Sequence, residues 1–172
     1  MTGAPRRSGL QGERGLTLAE VLVALAVIGG ALVGLAIVIP VAVHGVQAGQ
    51  QLSAATFLAE QAIERARSAV WSEHPAIDCL GVSSGDSAPA PTGATCRGAT
   101  STQFPDETGG VGGHPSYRRS VRVSSCASDP CAGLTTAEMR RVEVTVAYTP
   151  LTSAGVSPTP TTVRLEWLVT RR

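Results

Sequence analysis

The chain has 172 residues, enough for one modest domain and an appendage. Aromatic residues make up only 3%, so a core must be built from Val, Leu, Ile and Ala, which points to a thin core rather than that of a large enzyme. The formal net charge is +1, and the fourteen basic residues are all Arg, a bias that reads as genome composition; with no Arg-rich run interleaved with aromatics, nothing argues for nucleic acid as a partner.

Residues 1–15 carry Arg6, Arg7 and Arg14, offset by Glu13, and a run of 23 uncharged residues follows from Val21 to Val43. As a helix this run spans roughly 35 Å, enough for a bilayer core. A buried helix of a water-soluble domain would be shorter and apolar on one side only, and a secretory signal peptide would have a shorter apolar region. The run therefore predicts a membrane helix. The basic residues before it keep residues 1–15 cytoplasmic and send the C-terminal part across the membrane. One carboxylate, Glu20, sits just inside the start of this apolar stretch. An acid costs about 2.5–3.5 kcal/mol at the centre of a membrane helix and less toward its end. Solvation by headgroups or the positive end of the helix macrodipole would reduce that cost, and so would a cation.

The stretch "RGLTLAEVLVALAVIGG" (Arg14–Gly30) resembles the N-terminal cleavage and methylation signal of type IV prepilins and type II secretion pseudopilins. The resemblance implies a short basic leader, residues 1–15, removed by prepilin peptidase between Gly15 and Leu16, with methylation of the new amine at Leu16. Glu20 is then the fifth mature residue, the family's hallmark acid, and its implied role is filament assembly. The first mature residue departs from the usual Phe. An α-amine has a reference pKa near 8, so trimming creates a cation at neutral pH. Two opposite charges in a poorly solvated place cost less together than apart. Glu20 meeting the amine of a neighbouring subunit would thus set the height at which subunits dock. The implied partners are prepilin peptidase, other pilin or pseudopilin subunits, an inner-membrane assembly platform and membrane lipid. The implied location is the inner (cytoplasmic) membrane, single-pass, and then a filament.

Pro40 removes a backbone donor, so a kink or local unwinding is expected near Ala36–Pro40. Gly30 and Gly34 form a G-x-x-x-G spacing that lets helices approach closely. Beyond Gln50, Leu52, Ala55, Ala59, Ala62 or Ile63, Ala66 and Val70 recur at three- and four-residue steps, which predicts an amphipathic continuation of the helix. "LAEQAIERARS" (Leu58–Ser68) resembles the corresponding stretch of PilV-type minor pilins. His74-Pro75 should end the helix by about Ser72, giving a helix over 16–72 that is transmembrane to about residue 43 and amphipathic from 44.

Residues 73–116 are rich in Gly, Pro and Ser and show no periodicity, so they read as an exported loop region. Export makes disulfides the default for Cys79, Cys96, Cys126 and Cys131; spacing favours Cys79–Cys96 and Cys126–Cys131 among the three pairings that four cysteines allow. A metal site using His74 or His114 is the weaker reading, because the cysteines have no doubled C-x-x-C spacing. From residue 117 strict alternation marks three strands: "YRRSVRVSS", "RRVEVTVAYTP" and "TTVRLEWLVTRR". The expected class is α+β: a long N-terminal membrane-spanning helix whose C-terminal half packs on a small antiparallel sheet, a pilin-like layout. No catalytic constellation or cofactor motif is apparent, and the protein reads as the substrate of an enzyme rather than an enzyme. The leading functional expectation is a minor type IV pilin. A minor type II secretion pseudopilin is the alternative within the family, and a membrane-anchored binding module is the alternative from another class. Arg118, Arg119, Arg140 and Arg141 are the surface candidates for any duplex contact.

Overall fold

A computed structural model describes residues 17–96, 102–150 and 159–171. Helix α1, Leu18–Ser68, is followed by a short 3-10 turn at Pro75–Ile77 and by three strands, β1 (Tyr117–Ser125), β2 (Met139–Tyr148) and β3 (Thr161–Thr170). The chain divides into two units between Val43 and His44. The first holds the apolar part of α1, and the second holds the remainder of α1 with the sheet.

The expected unwinding near Ala36–Pro40 is not present: α1 is α-helical without interruption, with Pro40 inside it. One missing donor is tolerated where the neighbouring turns keep their own bonds. The helix also stops four residues earlier than expected. Ser68 Oγ donates to the Arg65 carbonyl at 2.9 Å, Ala69 N donates to Ala66 O at 3.2 Å, and the chain then turns so that Trp71 enters the core.

In the second unit, Ala55, Leu58, Ala59, Ala62, Ile63 and Ala66 form the buried stripe of α1. Leu52 and Val70, expected in that stripe, are 50% and 72% exposed, and Leu58 takes a central place instead. The buried stripe of α1 shares one cluster with the strand valines Val121, Val123, Val142, Val144 and Val146. The sheet order is β1-β2-β3, antiparallel throughout. Its register aligns Val121, Val144 and Leu165 in one row and Val123, Val142 and Trp167 in the next. Val142, Val144 and Val146 are fully buried, and burying each such side chain stabilises the fold by about 1.5–3 kcal/mol.

The described residues of the loop region are tied down. Leu80, Ala90, Phe104 and Val111 all enter the core. Cys79 and Cys96 are joined, and beside them Gly93 N donates to Asp78 O at 2.7 Å and Thr95 Oγ1 to Ala76 O at 2.8 Å. Glu107 and Arg119 exchange backbone hydrogen bonds at 2.9 and 3.0 Å, and Ser83 N donates to Val123 O at 2.8 Å, so the outer edge of β1 is partly covered. Val111 and His114 close a two-residue turn in which Gly112 and Gly113 have φ of 54° and 86°, a left-handed pair that favours glycine at both positions. The second disulfide, Cys126–Cys131, closes the turn after β1, and Cys126 N donates to Met139 O at 3.1 Å.

Candidate functional site

Among its described residues the first unit is an apolar helix whose polar groups stand in the first turn. Thr17 caps α1: its Oγ1 accepts from Glu20 N at 3.3 Å, and its carbonyl accepts from Glu20 N and Val21 N at 3.0 and 3.2 Å. Thr17 and Glu20 thus stand at the spacing of a capping box, three residues apart in the first turn, where the macrodipole favours an acid. Among the described residues the Glu20 carboxylate has no hydrogen-bond or ion-pair partner. Gly15 and Leu16, the expected cleavage and methylation positions, lie outside the described residues.

Every described residue from 17 to 43 is exposed, from Leu18 at 79% to Val21 at 41% among its large apolar side chains. α1 is long and apolar enough to cross a membrane. A contiguous apolar surface of this extent is not stable in water and requires lipid or protein against it. A Cβ added at Gly29, Gly30 or Gly34 would meet nothing within 4 Å, so the close-approach spacing serves no contact among the described residues of this chain.

The second unit pairs Cys79 with Cys96 and Cys126 with Cys131, the pairing that spacing favoured, with Cα separations of 5.5 and 5.1 Å. All four cysteines are therefore unavailable as thiolate ligands. Two of the four arginines read as surface candidates are buried, which corrects that expectation: Arg119 is 5% and Arg140 7% exposed. Arg140 Nη1 donates to both Asp78 oxygens at 2.8 Å and to the Leu80 carbonyl, while its guanidinium lies 4.2 Å from the Trp71 ring centre. Arg119 Nε donates to Glu107 Oε2 at 2.6 Å, and its Nη1 to the Leu58 carbonyl at 2.9 Å and Gln61 Oε1 at 3.3 Å. These two arginines fasten the loop region to the sheet and to α1. The alternation could have revealed both, because Arg119 shares parity with Val121 and Val123, and Arg140 with Val142 and Val144.

On the outer face of the sheet, Arg122 donates to both oxygens of Asp106 at 2.6 and 2.8 Å. Those bonds raise its pKa above the ordinary value, against the opposing effect of burial. Arg141 pairs with Asp129, and Arg164 with Glu143 and Glu166, so this face is a lattice of compensated charge. Tyr117 donates to the Gln51 carbonyl at 3.2 Å beside Tyr148; burial first, and Tyr148 second, raise its pKa.

Comparison of the chain with protein-family models, with curated proteins and with solved structures gives no match.

Proposed function

We propose that the chain is a minor type IV pilin of the PilV type, made as a prepilin and assembled as a structural subunit that primes or decorates a pilus filament. The observation that carries this reading is the exposed apolar surface of residues 17–43, following Arg14-Gly15, with a single acid in its first turn that has no partner among the described residues. Such a surface requires a cover, and both lipid and the helices of neighbouring subunits supply one. Removal of residues 1–15 places an ammonium on Leu16. Glu20 of an adjoining subunit then offers the carboxylate that makes its burial tolerable, and the pair forms only at one relative height of the two helices. The α+β unit that follows it in sequence, closed by two disulfides, suits an extracytoplasmic location.

The type II secretion alternative shares the same N-terminal chemistry and differs in the filament that the subunit joins. Recovery of the protein in filaments sheared from the cell surface supports the pilus reading; its absence there, with retention in the envelope, supports the secretion reading. The test of both is mass spectrometry of the native polypeptide. The expected product begins at Leu16 with a methylated amine, and a bulky residue at Gly15 leaves the chain full length. A native chain that still begins at Met1 where prepilin peptidase is active rejects this reading and favours a simple anchored module. Glu20→Ala should be trimmed normally and incorporated poorly.

A further inference from the structure

The two edges of the sheet are finished differently. On β1, Glu107 exchanges backbone hydrogen bonds with Arg119, and Ser83 N donates to Val123 O, so loop segments occupy that edge. β3 stands at the other edge and, among the described residues, pairs with β2 alone. It runs in unbroken register with β2 and contains no proline, so it has neither the bulge nor the proline that commonly blunts an open edge. Alternate N–H and C=O groups of β3 therefore face away from β2 with no strand among the described residues to meet them. Trp167 is 45% exposed there, with the Arg67 guanidinium over its ring, 5.1 Å from the centre.

Charge at this edge is unbalanced. Across the outer face one row runs Arg122, Glu143, Glu166 and so ends on two acids side by side. Like charges directly opposite each other in a sheet repel. Arg164 serves both acids, at 2.5 Å from Glu143 and 3.3 Å from Glu166, while Arg122 is already taken by Asp106. The edge is one cation short, at Glu166. On the helix-facing side the rows Val121–Val144–Leu165 and Val123–Val142–Trp167 stay apolar to the last strand.

We propose that β3 is a docking edge that receives, as a fourth strand, an extended segment of another protein. Its alternate residues are apolar beside Val163, Leu165 and Trp167; its other face carries a Lys or Arg opposite Glu166 and an acid opposite Arg164. The segment runs antiparallel, the pairing used throughout this sheet and the slightly more stable one. The sequence of β3 itself fits the pattern: an antiparallel copy centred on Leu165 sets Arg164 opposite Glu166 and Val163 opposite Trp167. A second whole chain is nevertheless not the occupant. Antiparallel pairing of two identical edges puts a two-fold axis normal to the sheet. α1 lies along the sheet, since Ala55 to Ala66, about three turns, share the cluster of strand valines. The α1 segments of two such copies would run in opposite directions, whereas copies anchored in one membrane by the same span run the same way. That exclusion rests on the membrane span. The edge lies within the second unit, so the proposal stands or falls separately from the pilin reading.

The test uses the full chain in lipid nanodiscs with both disulfides intact, followed by hydrogen–deuterium exchange with mass spectrometry and by isothermal titration calorimetry. The probe is a blocked peptide with the sequence of β3, TTVRLEWLVT. The control is the same peptide with its arginine and glutamate exchanged, which brings like charges together in the antiparallel register. The expected result is saturable binding of the probe, slowed exchange confined to Thr161–Thr170, and weaker binding of the control. Glu166→Gln, at an exposed position, should weaken the probe by up to about fivefold and leave exchange elsewhere unchanged. The proposal is overturned by the absence of saturable binding, by protection away from β3, by a control that binds as tightly as the probe, or by unchanged affinity in Glu166→Gln. Stable dimers of the chain joined at β3 in one nanodisc would make a second copy the occupant and overturn it as well.

Discussion

Replacing Asp78 by Ala removes the acid from beneath a guanidinium that cannot follow it into water. Arg140 is 7% and Asp78 9% exposed, and the pair is joined by two contacts of 2.8 Å. Removing one partner of a buried ion pair costs about 3–5 kcal/mol, because the other charge stays buried without compensation. Arg140 would retain the Leu80 and Ser72 carbonyls and the face of Trp71, which puts the loss at the low end of that range. Leu80 N, which donates to Asp78 Oδ1 at 3.1 Å, also loses its acceptor, at about 1 kcal/mol. The sum is about 4 kcal/mol, and for a unit of this size it should lower the Tm by roughly 10–15 °C. The assay is thermal and urea unfolding of the full chain in detergent with both disulfides intact, followed by near-UV circular dichroism. The double variant Asp78→Leu/Arg140→Met, apolar on both sides, should recover most of the loss. A cost below about 1 kcal/mol for Asp78→Ala, or a double variant no more stable than it, would refute the idea that this pair is buried and coupled.

Loss of the Cys79–Cys96 bond by paired Ser substitution should cost about 3 kcal/mol and loss of Cys126–Cys131 about 2, from their separations of 17 and 5 residues; comparison of urea midpoints checks the order, and the reverse order would contradict it. Gly93→Ala should destabilise by about 1–3 kcal/mol, because its Cβ would lie 2.5 Å from Ala76 O and 2.6 Å from Pro75 O, both backbone atoms that cannot yield cheaply. Gly109→Ala, with nothing within 4 Å, should change the same melting curve little. Stability should be flat with respect to Tyr117 below pH 10 and fall above it, since the unfolded chain gives up the phenolic proton before the folded one whose pKa is raised. Tyr117→Phe should flatten that alkaline slope, and an unchanged slope would assign it to other groups.

Much of this molecule is written in one dimension. Val21–Val43 is apolar on every side, so its need for a cover follows from composition alone, whatever it is packed against. The three strands lie within two residues of where period-two alternation puts them, because a half-buried sheet enforces that period on every residue. The two disulfides follow the spacing because both close short local loops. The loop region was not legible, since Leu80, Ala90, Phe104 and Val111 are single apolar residues without period, and only the assembled surface of α1 and the sheet gives each a place in the core. Nor does sequence order bring Arg140 to Asp78 or Arg119 to Glu107. Those pairs join segments 62 and 12 residues apart, and an arginine on an apolar face is stable there only once an acid arrives from elsewhere in the fold. Patterns repeated along the chain were therefore determined by the sequence itself. Which charges meet in the interior was decided by tertiary structure, because their cost depends on a neighbour that the local sequence does not contain.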